Sequence, residues 1–525
     1  MIDWTLPYGS SREVVLGKNV VACSQPLASQ AGLEMLRLGG NAVDAALASA
    51  IASTVVEPCA NGIGGDAFAI VNDENGVHGI NGSGKSPALM PTYIEGEIPS
   101  TGWLPVTVPG EVATWVMLHA KFCKLPFATL FGPAISYARE GFLVSPQTAT
   151  RWKNGTERFR DDKNWCETFL FDGKAPEVGQ KITLPDHANT LQEIAETNGE
   201  SFYRGELAQK IDEASRASGG FLRKEDLAAH KSEWVSPLSI EVGNASFYEL
   251  PPNGQGISAL IAMKIVQESN IDLSNCDDPK VLHIQIEAMK RAFADTHAFV
   301  ADPDISGDCG DLLVDERIKK HCATIKNEAS IIDASAIPRY SSTVYLATGD
   351  KNGMQCSFIQ SNFEGFGSGM VVPRTGIALQ NRGRGFSLDP AHPNCIGPNK
   401  RPFHTIIPAL LKHGDGKYNG TPFGVMGGPM QPQGHVQVVC RMLFANQNPQ
   451  SALDAPRWKL LGGKKVAIES GFEEAVYEEL RCRGHELEIA PQRSVAFGGG
   501  QIVHAIADGY AGASDSRRDG QAVAL

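Results

Sequence analysis

The segment from Asn41 to Pro58, NAVDAALASAIASTVVEP, is built almost entirely from small and β-branched side chains and lies between two glycine-rich breaks, Gly39-Gly40 and Gly62-Ile63-Gly64-Gly65. Small side chains let a helix approach its neighbours closely, so this segment reads as a helix buried inside a larger body. Its apolar run, Val43 to Val56, carries Asp44 and is too short to span a bilayer. A first helix should precede it from Gln25, with Pro26 in its opening turn and Gly39-Gly40 ending it. A strand, Ala67 to Val71, should follow. The glycine loop stands before that strand, the wrong order for a dinucleotide or phosphate site, which needs strand, loop and helix.

With 525 residues the chain can hold several domains or one large αβ unit. A hydrophobic share of 42% with 20% charged residues is globular. Lys and Arg number 47 against 59 Asp and Glu, a net charge of −12 without a basic stripe, so no nucleic-acid partner is expected. The 11 cysteines are spread without C-x-x-C pairs, which suits reduced thiols better than disulfides or zinc. The N-terminal residues show no basic stretch followed by an apolar one. No membrane partner is expected, and the cytoplasm is the expected compartment.

Residues 105–145 read as helical, with a turn at Val108-Pro109-Gly110, and 282–300 as another helix. Residues 150–235, more polar, read as peripheral helices and loops. Asp302 to Asp308 imitates the first half of an EF-hand loop, but Leu313 stands where the twelfth-position Glu belongs, so it reads as an acidic turn. Residues 323–342 have the weak periodicity of an exposed or mobile segment. Beyond Thr343 strands are expected at 344–348, 355–360, 370–372, 406–411 and 423–426. His413 and His435 show no metal-ligand spacing.

The junction between these regions, Ser341-Ser342-Thr343, carries the chemistry. Thr343 leads an apolar strand that a turn, Asp350-Lys351-Asn352-Gly353, joins to a second strand and the loop Phe366-Gly367-Ser368-Gly369. If the chain is cut before Thr343, one residue holds both a hydroxyl nucleophile and a free α-amine. That amine titrates near ~7.7–8.0, suited to a general base at neutral pH.

Several segments together resemble the γ-glutamyltransferase family of N-terminal-nucleophile hydrolases. They are Ser24-Gln25-Pro26-Leu27-Ala28, Val55-Val56-Glu57-Pro58 with Gly62-Ile63-Gly64-Gly65, Val108-Pro109-Gly110, Ala138-Arg139-Glu140-Gly141-Phe142, the Thr343 stretch and Phe366 to Gly369. The resemblance covers nearly the whole chain and implies a mixed α/β (α+β) fold, a four-layer αββα sandwich. It also implies a proenzyme that cuts itself between Ser342 and Thr343. The products would be a large subunit, 1–342, and a small one, 343–525, forming an obligate heterodimer around one core. No cofactor and no metal are implied.

By the same resemblance Thr343 is the nucleophile and Ser361, where the family often has Thr, its hydrogen-bonding partner. Gly427 and Gly428 would supply the amides that stabilise a tetrahedral intermediate. Met426 stands where the family usually has Pro.

Other positions depart in ways that concern the substrate. The family's Arg for an α-carboxylate reads Ser83, its Asp for an α-amine reads Gly385, and two Ser that contact the carboxylate read His404 and Thr405. In exchange the chain has Arg382 and Arg384, whose forks suit a carboxylate. Asn362 to Gly369 and Gln380 to Gly383 resemble the oxamate amidohydrolase-like subgroup. The expected activity is hydrolysis of a small carboxylate-bearing amide such as oxamate, with Arg382, Arg384, His404, Thr405 and Asn362 as substrate contacts. A γ-glutamyl hydrolase or transferase with a rebuilt pocket is the alternative, and a non-catalytic homologue used for binding or assembly the third reading.

Overall fold

The structure, a computed structural model, describes residues 12–332 and 342–525. The first helix, α1, runs Pro26–Arg37, and the Gln25 side chain accepts the amides of Leu27 and Ala28 at its start. The second, α2, runs Ala42–Val56 and opens with a reciprocal cap. Asn41 accepts the Val43 and Asp44 amides, and the Asp44 carboxylate accepts the Asn41 amide at 2.8 Å. Every residue of α2 is buried. The small side chains make this packing feasible, because a Cβ on Gly32 of α1 would lie 2.3 Å from the Ser49 hydroxyl.

Two seven-stranded antiparallel sheets face each other. In the first, the Thr343 strand (Ser342–Gly349) and the Ser361 strand (Gln355–Phe363) form a central hairpin. Val20–Cys23 flanks it on one side and Asp66–Asp73 on the other. The second sheet is centred on Gly420–Met426, beside Gly499–Ile506 and Ala409–Lys412. Strand alternation sorts the side chains. Phe68, Ile70, Tyr345 and Ile359 meet Leu410, Met426 and Val503 between the sheets. Val344, Leu346, Cys356 and Phe358 face outward against α2, and Phe423 and Val425 face the helices over the second sheet. Each fully buried Leu, Ile or Phe contributes about 1.5–3 kcal/mol. The order is helices, sheet, sheet, helices, as expected for an αββα sandwich.

The hairpin turn also anchors α2. One Asp350 oxygen accepts the Asn352 amide at 2.7 Å, and the other accepts the Ala42 amide at the helix start, where negative charge is favoured.

Several local expectations need correction. Residues 370–372 form no strand; Val371 makes a single bridge to Ala378. The 406–411 strand begins only at Ala409, because the Ile406 and Ile407 amides go to the His404 ring and the Gln431 side chain. The first helix of 105–145 starts at Glu111. The 150–235 region is not merely peripheral: Trp152, Trp165 and Phe169 are fully buried and pack around Phe366. Of 323–342, residues 333–341 lie outside the described residues. Ala323 still belongs to a helix, and the stretch after it is anchored, with the Ala329 amide on the Arg483 carbonyl and the Ser330 amide on Glu287. The acidic turn at 302–308 is a short helix, Pro303–Ser306, capped by Asp302. No helix among the described residues is long and apolar enough to cross a membrane.

Candidate active site

The ladder between the two hairpin strands breaks where the chemistry is expected. Ser342 pairs with Phe363 and Val344 with Gln360, so Ser361 and Asn362 together oppose Thr343. Such a bulge re-aims the side chains at its crest. Phe363 ends it at φ +76°, an uncommon and costly conformation for a bulky side chain.

Ser361 is aimed at the junction itself. Its hydroxyl lies 3.2 Å from the Thr343 hydroxyl, which donates to it, and accepts the Phe363 amide at 2.8 Å. It donates to the Ser342 carbonyl at 2.6 Å. Thr343, Ser342 and Ser361 are all buried.

Arg382 reaches the same hydroxyl. One guanidinium nitrogen lies 3.3 Å from Ser361 Oγ, another donates to Thr405 Oγ1 at 2.9 Å, and the plane covers the Phe363 ring at 4.4 Å. The side chain is fully buried, its Nε has no acceptor, and it pairs with no carboxylate among the described residues. Burial pushes this guanidinium down to about 9, while Asp66 and Glu364 hold it up. Arg384 is placed differently. It pairs with Glu364, which also takes Arg158 at 2.6 Å and the Asn381 amide group at 3.1 Å.

His404 is buried beside Phe68, and its Nε2 lies 3.0 Å from Asp66 Oδ2. Its Nδ1 accepts the Ile406 amide, which leaves the proton on Nε2 and makes the ring the donor to Asp66. Burial, with Arg382 nearby, holds the ring well below the usual imidazole range, so it is neutral. The other Asp66 oxygen accepts Gln380 and the amides of Gly110 and Gly84. Burial lifts Asp66 to about 7, and Arg382, Gln380 and the two amides oppose it.

The Gly427-Gly428 loop is tied to this cluster through Gln255, whose Nε2 donates to the Thr405 carbonyl at 2.6 Å and the Gly428 carbonyl at 2.9 Å. Both glycines are left-handed, at φ +130° and +61°. Their carbonyls accept from Met430 and Gln431, starting the helix Met430–Leu443, and neither amide meets a protein acceptor among the described residues.

Asn362 is not brought to this face. Its amide group donates to the Ala378 carbonyl at 3.1 Å, and its oxygen, without a partner, lies under Gly65 with Glu111. Glu111 is buried with both oxygens unpartnered, and burial beside Asp66 raises it well above the usual carboxylate range, so it is a neutral acid.

Two of the positions that depart from the γ-glutamyl pattern, Ser83 and Gly385, are closed by their neighbours. Ser83 donates to Asn81 at 2.7 Å, and a Cβ on Gly385 would lie 2.3 Å from the Phe403 carbonyl oxygen, so Asp cannot stand there unless the backbone shifts.

Asp66, Glu364, Gln255 and Glu111 were not singled out from the sequence. Asp66 alone left a signal, an acid at the head of an apolar strand directly after the glycine loop. Away from this site His283, Glu287 and His485 form a cluster of metal-ligand type. Glu287 is committed there to Lys290 and Arg291, and His283 to His485 at 2.8 Å, a donor set that does not fit a cation. His435 is bound to Glu249 at 2.6 Å.

The family model described as gamma-glutamyltranspeptidase matches residues 28–525. The chain is 35% identical to the oxamate amidohydrolase proenzyme of Klebsiella pneumoniae, over 94% of this chain and 96% of that one. It is 33% identical to the glutathione hydrolase-like YwrD proenzyme of Bacillus subtilis, over 98% and 100%. The crystal structure of a cephalosporin acylase from Bacillus halodurans superposes with a TM-score of 0.95 at 45% identity, covering 100% of this chain and 99% of that one.

Proposed function

Since the chain belongs to the γ-glutamyltranspeptidase family of N-terminal-nucleophile hydrolases, we propose that it is a proenzyme that cuts itself between Ser342 and Thr343. The resulting small subunit then hydrolyses the amide of a small acid whose carboxylate sits next to the scissile carbonyl. The observation that carries this reading is Arg382, a buried guanidinium held by two hydroxyls and no acid, one of those hydroxyls being 3.2 Å from Thr343 Oγ1. A buried cation with no carboxylate in contact is costly, and a substrate carboxylate supplies that contact. The short path from Arg382 through Ser361 to Thr343 suits an acid in which carboxylate and amide are adjacent, as in oxamate.

In the precursor the Thr343 hydroxyl attacks the Ser342 carbonyl, which Ser361 polarises. The peptide becomes an ester, the Thr343 nitrogen leaves as an amine, and water splits the ester. In turnover that amine takes the hydroxyl proton as Thr343 attacks the substrate amide. The oxyanion forms against the Gly427 and Gly428 amides, the leaving amine departs protonated, and water releases the acid. Arg382 and Thr405 hold the carboxylate. His404, fixed by Asp66, walls the site as a neutral ring. Arg384 and Asn362, engaged elsewhere, have supporting roles.

A side-chain acylase is the second reading, favoured by the likeness to the cephalosporin acylase structure. Denaturing mass measurement of wild type and Thr343→Ala tests the shared step, with two fragments expected from the first and one intact chain from the second. Ammonia release from oxamate, set against hydrolysis of a cephalosporin side-chain amide and a γ-glutamyl anilide, then decides the substrate. Turnover of the anilide alone sinks the carboxylate argument.

A further inference from the structure

Thr343 and its neighbours explain what happens on the inner face of the first sheet. The residue before it, Ser342, is also gripped on the outer face, by groups that the turnover chemistry leaves unused. Along this strand Val344 and Leu346 point outward into the helical layer, and the Ser342 side chain does the same. There its hydroxyl donates to the Cys59 carbonyl and accepts from a guanidinium nitrogen of Arg151.

Arg151 is itself fixed. Its other terminal nitrogen donates to Glu57 at 2.7 Å, and the second Glu57 oxygen accepts the Ser24 hydroxyl at 2.7 Å. Glu57 and Cys59 stand just beyond the end of α2, so the buried helix carries the platform. Arg151 lies in the second turn of the helix Pro146–Phe159. That helix is pinned at its start by Asp519, which accepts the amides of Gln147 at 3.1 Å and Thr148 at 3.0 Å. Both Glu57 and Ser24 lie in segments that drew attention in the sequence without a role of their own.

We propose that Arg151 is a positioning residue for self-cleavage: seated on Glu57, it locks the Ser342 side chain and so presents the Ser342 carbonyl to Ser361 and to the Thr343 hydroxyl. Two grips act on one residue. Arg151 and the Cys59 carbonyl fix the side chain from the helical side, while Ser361 holds the carbonyl 2.6 Å away across the bulge. With donor and acceptor both satisfied at the Ser342 hydroxyl, rotation about its Cα–Cβ bond is stopped, and the peptide beyond it is held in one orientation. Attack on a carbonyl depends on such orientation, and a small misplacement costs orders of magnitude in rate. Arg151 touches neither the attacking oxygen nor the attacked carbon and acts only through Ser342.

The inference rests on the proenzyme reading, and the experiment separates the two. Freshly synthesised full-length chain is followed by denaturing mass measurement for wild type, Arg151→Gln, Ser342→Ala and the double variant. Each single change should slow cleavage about ten- to hundredfold, the range for losing a charge-assisted hydrogen bond. The double should be no slower than the slower single, because both remove one contact. Millimolar guanidinium should restore part of the Arg151→Gln rate and none of the Ser342→Ala rate. A wild type that never cuts removes the proenzyme reading and this proposal with it. A wild type that cuts while Ser342→Ala cuts equally fast overturns the proposal alone. So do multiplicative losses in the double variant, which would mean that Arg151 acts through packing. Ser342→Ala leaves the Arg151–Glu57 pair in place, so a fold weakened by Arg151→Gln cannot obscure the result.

Discussion

Two buried arginine centres in this chain are built in opposite ways. Arg517 lies fully buried between two acids, its Nε 3.0 Å from Glu469 and a terminal nitrogen 3.1 Å from Asp515. Arg457 joins it, 2.7 Å from the other Asp515 oxygen, and carbonyls of Leu453, Ala455 and Phe497 take further N–H groups of the two. The Arg457 and Arg517 guanidiniums hold Asp515 down at about 2 despite burial. Arg382, equally buried, has two hydroxyls and a ring face but no acid. The first centre is complete as folded. The second has no acid in direct contact, Asp66 and Glu364 acting on it only from a distance, and its guanidinium stands one hydroxyl away from Thr343.

The comparison breaks most visibly in stability. Arg517→Met leaves Glu469 and Asp515 buried without their main partner and should cost about 3–5 kcal/mol, read from the urea midpoint. A loss below about 1 kcal/mol would mean that the pair is not structural. Arg382→Met should behave differently. Stability should change far less than for Arg517→Met, because no direct ion pair is broken, while kcat/KM for a carboxylate-bearing amide falls about a hundredfold, near 3 kcal/mol, chiefly through KM. Unchanged kinetics would take Arg382 out of the site.

The smallest effect concerns pH, and the two centres should again differ in sign. Asp515 is lowered in the fold, so its contribution is present above its ordinary value near 3.8 and lost as pH falls toward 2. Asp66 is raised to about 7, so its contribution is complete below about 3.8 and lost as pH rises through 7. Asp66→Asn should therefore flatten a decline in stability between about pH 4 and 7. Thermal melts across that window check it, and an unaltered slope would assign the decline to another group.

What was legible in the sequence was local. The caps of α1 and α2, the Asp350 turn and the paired glycines at 427–428 are written in adjacent residues. Arg382 and Arg384 look alike there because they are two apart. A short helical turn, Arg382–Gly385, sends one guanidinium to Ser361 and the other to Glu364. No spacing rule announces that. Asp66 meets His404 across 338 positions, a contact made by strand pairing and sheet stacking alone. Asn362, named from the resemblance, has its amide on the Ala378 carbonyl, a placement that follows from the bulge and that strand alternation alone does not tell.

The interleaving of the first sheet has a further consequence. The Thr343 hairpin lies between Val20–Cys23 and Asp66–Asp73, strands that come from the other side of the proposed cut. Made as two separate polypeptides, the halves would have to find each other and zip along both edges of a two-stranded insert, a concentration-dependent search with exposed edges on every partner. Made as one chain, they register by loop closure, whose entropy grows only slowly with length. On the proposed cleavage, the Ser342–Thr343 bond would serve as a temporary tether, needed for assembly and dispensable once the ladders are in place. Severing it last would fix the order of events, because a chain that has not folded has no bulge at which to cut.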